Sequence, residues 1–348
     1  MGDYMTKIEI KTRFIQGDEE SDEFKTSITD CFDGFSFSWQ IDQEIVSISA
    51  QITFEKKYLY SSETKKAEDK LKDNPCDKEL KLEYERLRED DSDWEALVTF
   101  RLLISPSVNL DKNEIVFSKE KSTETSGSEW GYFDSFYDVC IAKLNMALVM
   151  AFVFAKPGIH IWNSKVYIND TQYADENYVK EIMPIGTLKE YQAIKKVSVS
   201  YTQALDWIKK HTSLCNQCEK SPSAFSAITY VFNRQYHEGL IYSIIGLESI
   251  YSPGKSGISY TLQKRINAIF PMVSKDEIKR MYGLRSKFVH GELSISNCDL
   301  LSETLDDYDQ FSDTAFMAMS LLFETVRVLI SNNADSIIFN ETISYDFK

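Results

Sequence analysis

Arg285 and His290, in the stretch RMYGLRSKFVHG at 280–291, set a permanent cation five positions before an ionisable imidazole. Arginine holds phosphate through a planar fork, and histidine moves protons near neutral pH. Between Gly254 and His290 the chain carries Lys255, Lys264, Arg265, Lys275, Lys279, Arg280, Arg285 and Lys287. Only Asp276 and Glu277 oppose them, so the segment is +6 on a chain of net charge -15, and the remainder is -21. A basic island on an acidic protein concentrates positive charge where a phosphate backbone would use it. A solvated helical face with clustered lysines is the plainer alternative.

Five positions along an α-helix turn through about 500°, so Arg285 and His290 lie about 140° apart around the axis. A straight helix does not bring them together. They converge only where the last turn bends, or where two copies of the helix face each other. Gly291 marks the helix end, and a histidine there lies near the negative end of the helix dipole, which favours imidazolium. Together the pair forms a metal-free kit for RNA cleavage: the 2′-hydroxyl attacks, histidine moves protons, and arginine stabilises the phosphate. Spacing alone favours a histidine that closes the helix beside a surface arginine, because R-x4-H is a very short pattern.

The elements that position this stretch are helical. From about residue 198 every long segment has helical period. SVSYTQALDWIKKHTSL predicts a short helix, and SPSAFSAITYVFNRQYHEGLIYSIIGLESIY one long helix with a break in its apolar period at Tyr236. SYTLQKRINAIF predicts a third. SKDEIKRMYGLRSKFVHG predicts a fourth, with Ser274 as N-cap and acids in its first turn. CDLLSETLDDYDQFSDTAFMAMSLLFETVRVLISNN supplies the last long helix or helix pair. The expected architecture is α+β: a β-rich mixed domain over 1–197, an all-α bundle over 198–333, and a tail over 334–348 with a possible strand.

In the first domain, residues 1 to about 60 read as β structure from the alternation in KIEIKTRF and FSFSWQIDQEIVSISAQITFEKKY. Residues 61–93 predict two charged helical pieces split by NPCD. EALVTFRLLIS and NEIVFSKE predict strands, YFDSFYDVCIAKLNMALVMAFVFA a helix, and GIHIWNSKVYIND a hairpin turning at Asn163 and Ser164. Nothing in this half matches a phosphate-cradling glycine loop or a metal motif.

RMYGLRSKFVHGEL resembles the terminal motif of HEPN domains, helical bundles of prokaryotic defence and toxin ribonucleases marked by Arg, four to six residues, then His. It is most similar to the Apea-like branch, and YSIIGLESIYSPGKSGISYTLQKRINAIF resembles the same branch; the likeness covers roughly residues 200–330. The resemblance implies a metal-independent endoribonuclease that needs no cofactor. It would act as a homodimer whose facing motifs build one composite site, with Arg285 and His290 as the catalytic pair. The RNA would be tRNA or another host RNA, the setting antiviral defence, and the first domain would sense a phage or regulatory trigger or select the RNA. Many members carry Asn, Asp or His directly after the arginine; here Ser286 stands there, able to hydrogen-bond but not to act as a base. The alternative is a non-catalytic HEPN module for dimerisation and for RNA or protein binding.

Other residues are weighed beside this pair. Glu248 can pair with Arg285 or orient His290, or be an ordinary helix-end carboxylate. Lys264, Arg265, Lys279, Arg280 and Lys287 are the expected RNA-binding residues. Tyr282 and Phe288 can stack on bases, though core packing or dimer contact suits them better. Cys215 and Cys218 form a lone CNQC with His211 four residues upstream, weak evidence for zinc, so no metal is expected. His237 and His160 read as structural. The start lacks an apolar leader, and LNMALVMAFVFA is too short to span a bilayer, so the expectation is a cytoplasmic protein without membrane contact.

Overall fold

A computed structural model describes residues 6–15, 21–41, 44–58, 62–75, 77–90, 92–104, 136–156, 159–168, 171–174, 194, 197–215, 220–231, 236–252, 258–290, 292 and 305–340. The chain forms two compact units, one of Met1–Phe117 with Gly158–Tyr178, the other of Ser118–Pro157 with Val179–Lys348. The described strands all lie in the first, with three helices, and the second is helical, an α+β organisation.

The first unit is a six-stranded antiparallel sheet. Its strands are β1 (Thr6–Ile15), β2 (Ser36–Ile41), β3 (Glu44–Tyr58), β4 (Ser92–Ile104), β5 (His160–Ile168) and β6 (Thr171–Ala174), in the order β2-β3-β4-β1-β5-β6. Alternation decides the faces. Ile8, Ile10 and Phe14 of β1 and Val98, Phe100 and Leu102 of β4 are buried on one side, against Phe24, Ile28 and Phe32 of helix α1 (Ser21–Phe32). On the other side Glu9 is buried and paired to Lys11 at 3.5 Å and Arg101 at 3.2 Å. Helices α2 (Ser62–Asp73) and α3 (Lys78–Asp90) are the two charged pieces expected, and Asp77 accepts from the Glu79 and Leu80 amides to start α3.

Two expectations for this unit need correction. Residues 21–32 are helical, not β: Phe24, Ile28 and Phe32 fall four apart and share one buried face. Asn163 and Ser164 lie within β5 and pair with Arg13 and Thr12, so there is no turn at that point. The β5–β6 connection comes after Ile168 instead. The strand expected in NEIVFSKE lies outside the described residues.

Helix α4 (Phe136–Ala155) belongs to the helical unit, which moves the expected boundary at 197/198. From Ala147 to Ala155 every side chain is buried, and a helix apolar all round needs other helices about it. Phe154 meets Phe323 at 5.1 Å and Phe225 at 6.3 Å, and Tyr201 donates to the Leu148 carbonyl at 3.3 Å. The other helices are α5 (Tyr201–His211), α6 (Ser223–Val231), α7 (Tyr236–Tyr251), α8 (Ile258–Ile269), α9 (Lys275–Val289) and α10 (Leu305–Ser331). Ser200 and Gln203 form a capping box on α5.

The expected single helix through 223–251 is two. Tyr230 and Tyr242 stack with centroids 5.1 Å apart, whereas twelve residues of continuous helix would separate them by about 18 Å. The chain therefore reverses between α6 and α7. Gly246 lets α7 close on its neighbours: a Cβ there would lie 2.7 Å from Leu322 and 2.8 Å from Ala227. Asp313–Ser331 within α10 is long and apolar enough to cross a membrane, but 78% of that window is buried in the unit.

The tail forms no strand over 334–340. It is held by side chains: Trp207 Nε1 donates to the Ala334 carbonyl at 2.7 Å, and Phe339 packs on Tyr251.

Candidate functional site

Helix α9 carries the Arg285/His290 motif, and its first turn forms as expected. The Ser274 amide donates to Glu277 Oε2 at 2.8 Å and the Glu277 amide to Ser274 Oγ at 3.1 Å, a reciprocal capping box. Ile278 and Met281 fix the helix to the core. The far end closes through His290 N–H to the Ser286 carbonyl at 3.0 Å and Glu292 N–H to the Lys287 carbonyl at 2.8 Å. The second bond spans five residues, the six-to-one closure common at helix C-termini. His290 is thus the C-cap residue, and its side chain is exposed.

Arg285 turns the other way. It is half-buried, and its Nη2 lies 3.6 Å from Glu248 Oε2 on α7. Its guanidinium stands 5.9 Å from the centre of the Tyr282 ring, one turn back. The ion pair is only partly bonded: Glu248 Oε1 and Arg285 Nε are both buried without a hydrogen-bond partner. Burial pushes the Glu248 carboxyl above its usual range, and the opposing pull of Arg285 is the smaller effect. Of the three options open to Glu248 in sequence, the structure places it beside Arg285. Arg285 is engaged with Glu248 of α7, whereas the His290 side chain is exposed. Ser286, between them, is half-buried.

The five expected RNA-binding residues do not form one surface. Lys264, Lys279, Arg280 and Lys287 are exposed. Arg265 is buried; it donates to the Tyr251 carbonyl at 2.9 Å and stacks over the Phe339 ring at 4.9 Å. It is an internal clamp between α7, α8 and the tail, and it leaves the basic surface. The pattern held a warning: Leu262, Arg265, Ile266 and Ile269 make one i, i+3, i+4, i+7 stripe, so Arg265 sits on the packed face of α8.

Among the described residues, His211 stands apart from this site. His211 Nε2 lies 3.2 Å from Asn333 Oδ1, and its ring packs on Trp207, which gives it a structural task. Cys218 lies outside the described residues, as do the side chains of Cys215, His160, His237 and Phe288. No group of three metal-ligating side chains occurs among the described residues.

Comparison of the chain with protein-family models, curated proteins and solved structures finds no match.

Proposed function

We propose that this protein is a metal-independent endoribonuclease of the HEPN type, cutting RNA by 2′-hydroxyl attack to leave a 2′,3′-cyclic phosphate. The observation that carries the reading is the arrangement on α9. One helix end holds a half-buried arginine poised by a carboxylate and an exposed histidine, with Lys279, Arg280 and Lys287 exposed along the same helix. Arginine can neutralise the charge that grows on the attacked phosphate, and the solvent-facing imidazole can reach a leaving oxygen.

Because the pair diverges on one helix, the productive site is composite, formed where two copies bring their α9 ends together. Val289 is 54% exposed and Ile245 on α7 is 45% exposed, apolar surface that such a contact would cover. The exposed lysines and arginine would then hold host RNA, tRNA included, on either side. The sheet unit senses a phage or regulatory trigger or selects the RNA. The setting is antiviral defence in the cytoplasm.

The test incubates purified protein with RNA in EDTA and examines product ends. Cleavage that survives the chelator, leaves a cyclic phosphate and disappears in Arg285→Ala and His290→Ala is expected. Equal cleavage by both variants rejects the assignment.

A second reading is a non-catalytic HEPN module that binds RNA or a partner protein. Ser286 favours it, since serine supplies no base, and so does Glu248, which occupies the Arg285 guanidinium. It predicts RNA retention that weakens with salt and no cleavage.

A further inference from the structure

The ion pair between α7 and α9 is incomplete in a specific way. Arg285 Nε needs an acceptor and Glu248 Oε1 needs a donor, and both atoms are buried without a partner. A buried polar atom left unpaired costs far more than a typical hydrogen bond returns, so such atoms call for an explanation. A phosphate or carbonyl could satisfy only the arginine. An ammonium could satisfy only the glutamate. A hydroxyl offers an acceptor and a donor from one atom and satisfies both. Side-chain exposures of 26% for Arg285 and 17% for Glu248 show that both side chains reach the surface in part.

We propose that Arg285 Nε and Glu248 Oε1 form a slot for the 2′-hydroxyl of an RNA nucleotide, with Glu248 as the general base that takes its proton. This rests on the ribonuclease reading and gives the base that Ser286 cannot supply. The proton passes from the 2′-oxygen to the Glu248 carboxylate as that oxygen bonds to phosphorus. The bond from phosphorus to the 5′-oxygen breaks, and the departing oxygen takes a proton from the imidazolium of His290. The products are a 2′,3′-cyclic phosphate and a 5′-hydroxyl, and the protons return through water. The 2′-hydroxyl is also the group by which a protein separates RNA from DNA.

The surroundings of Glu248 suit a base. Its carboxyl is held above the ordinary range by burial, closer to working pH. Arg285 is the charged group that faces it from α9. On α8, Arg265 is committed to the Tyr251 carbonyl and Lys264 is exposed. On α10, Glu324 and Arg327 pair with each other at 2.7 Å. Tyr251 of α7 itself bonds to Thr325, and Tyr230 of α6 stacks on Tyr242.

Binding and cleavage are tested separately. In a His290→Ala background, RNA and the 2′-deoxy strand of the same sequence are titrated by fluorescence anisotropy. RNA should bind on the order of 10-fold more tightly, and Glu248→Ala should abolish that preference, about one hydrogen bond's worth. With His290 restored, Glu248→Gln should lower kcat by roughly 10²–10⁴, with KM little changed and the acid limb of the pH–rate profile lost. Equal binding of the two strands overturns the slot, as it would if water alone bridges the pair. So does a preference that survives Glu248→Ala, or a Glu248→Gln enzyme as fast as wild type. No cleavage by the wild type would instead sink the ribonuclease reading, and cleavage persisting in Arg285→Ala and His290→Ala would reject that pair as its catalytic residues, while the strand preference still decides the slot.

Discussion

Glu248 of α7 and Arg285 of α9 face each other at 3.6 Å, joining α7 to the motif helix through a pair that leaves one buried polar atom unpaired on each side. A pair of this kind is expensive to bury and contributes little net stability. Its two halves are unequal. The carboxyl pays more for burial than the guanidinium returns, so its pKa stands raised, not lowered.

That asymmetry sets a pH dependence. In Arg285→Ala the opposing pull is gone, so the Glu248 carboxyl rises further. A raised carboxyl adds a folding penalty that is absent below the unfolded-state pKa and complete above the folded-state pKa. The stability lost by Arg285→Ala relative to wild type should therefore be larger at about pH 8 than at about pH 4. Urea unfolding of both proteins at each pH measures it. A loss independent of pH would mean that Glu248 does not feel Arg285.

Two glycines in neighbouring helices should respond oppositely to alanine. At Gly246 the new Cβ would meet Ala227 Cβ at 2.8 Å, and neither atom can rotate away. Gly246→Ala should destabilise by about 1–3 kcal/mol through overpacking. At Gly283, in the middle of α9, nothing lies within 4 Å of the added carbon. Gly283→Ala should stabilise by about 0.5–1 kcal/mol through helix propensity alone. Thermal unfolding separates the signs.

How much of this was legible in sequence depended on whether the signal was local. The Ser274 N-cap is written within a few residues of sequence, and α9 starts there as expected and runs to Val289. Phe24, Ile28 and Phe32 carry the period of α1, but the long alternating strands on either side mask it in the sequence. The reversal between α6 and α7 had only the broken period at Tyr236 as a sign. The pairing of Glu248 with Arg285 joins residues 37 apart in the sequence, and sequence alone leaves it as one of three options. The exposed and buried cations Lys264 and Arg265 are adjacent in sequence, and helix phase alone separates them.

Those two adjacent cations give a direct contrast. Arg265→Ala removes a charge-assisted bond to the Tyr251 carbonyl and a stacking contact with Phe339. It should cost about 2–3 kcal/mol of stability. Lys279→Ala and Arg280→Ala, both exposed, should each stay within about 0.5 kcal/mol of wild type. If the α9 surface holds phosphate, each exposed variant should lower the slope of log affinity against log salt by about one. Calorimetry and a salt titration of RNA binding read the two effects separately.

The composite site makes a prediction that a site within one chain cannot meet. Let Arg285→Ala and His290→Ala, each inactive alone, be mixed in equal amounts and allowed to exchange subunits. In a mixed dimer one arrangement combines the intact arginine of one copy with the intact histidine of the other, and the second arrangement has neither. With half the dimers mixed and one of two arrangements whole, about a quarter of wild-type cleavage should return, by the two-fold symmetry of the contact. A pair that works within one helix returns none, because neither copy holds both groups. Charging the apolar rim with Val289→Asp, at a residue 54% exposed, should leave the fold intact and prevent the recovery. Product-end analysis of the mixed sample, with sedimentation to confirm exchange, decides between the two arrangements.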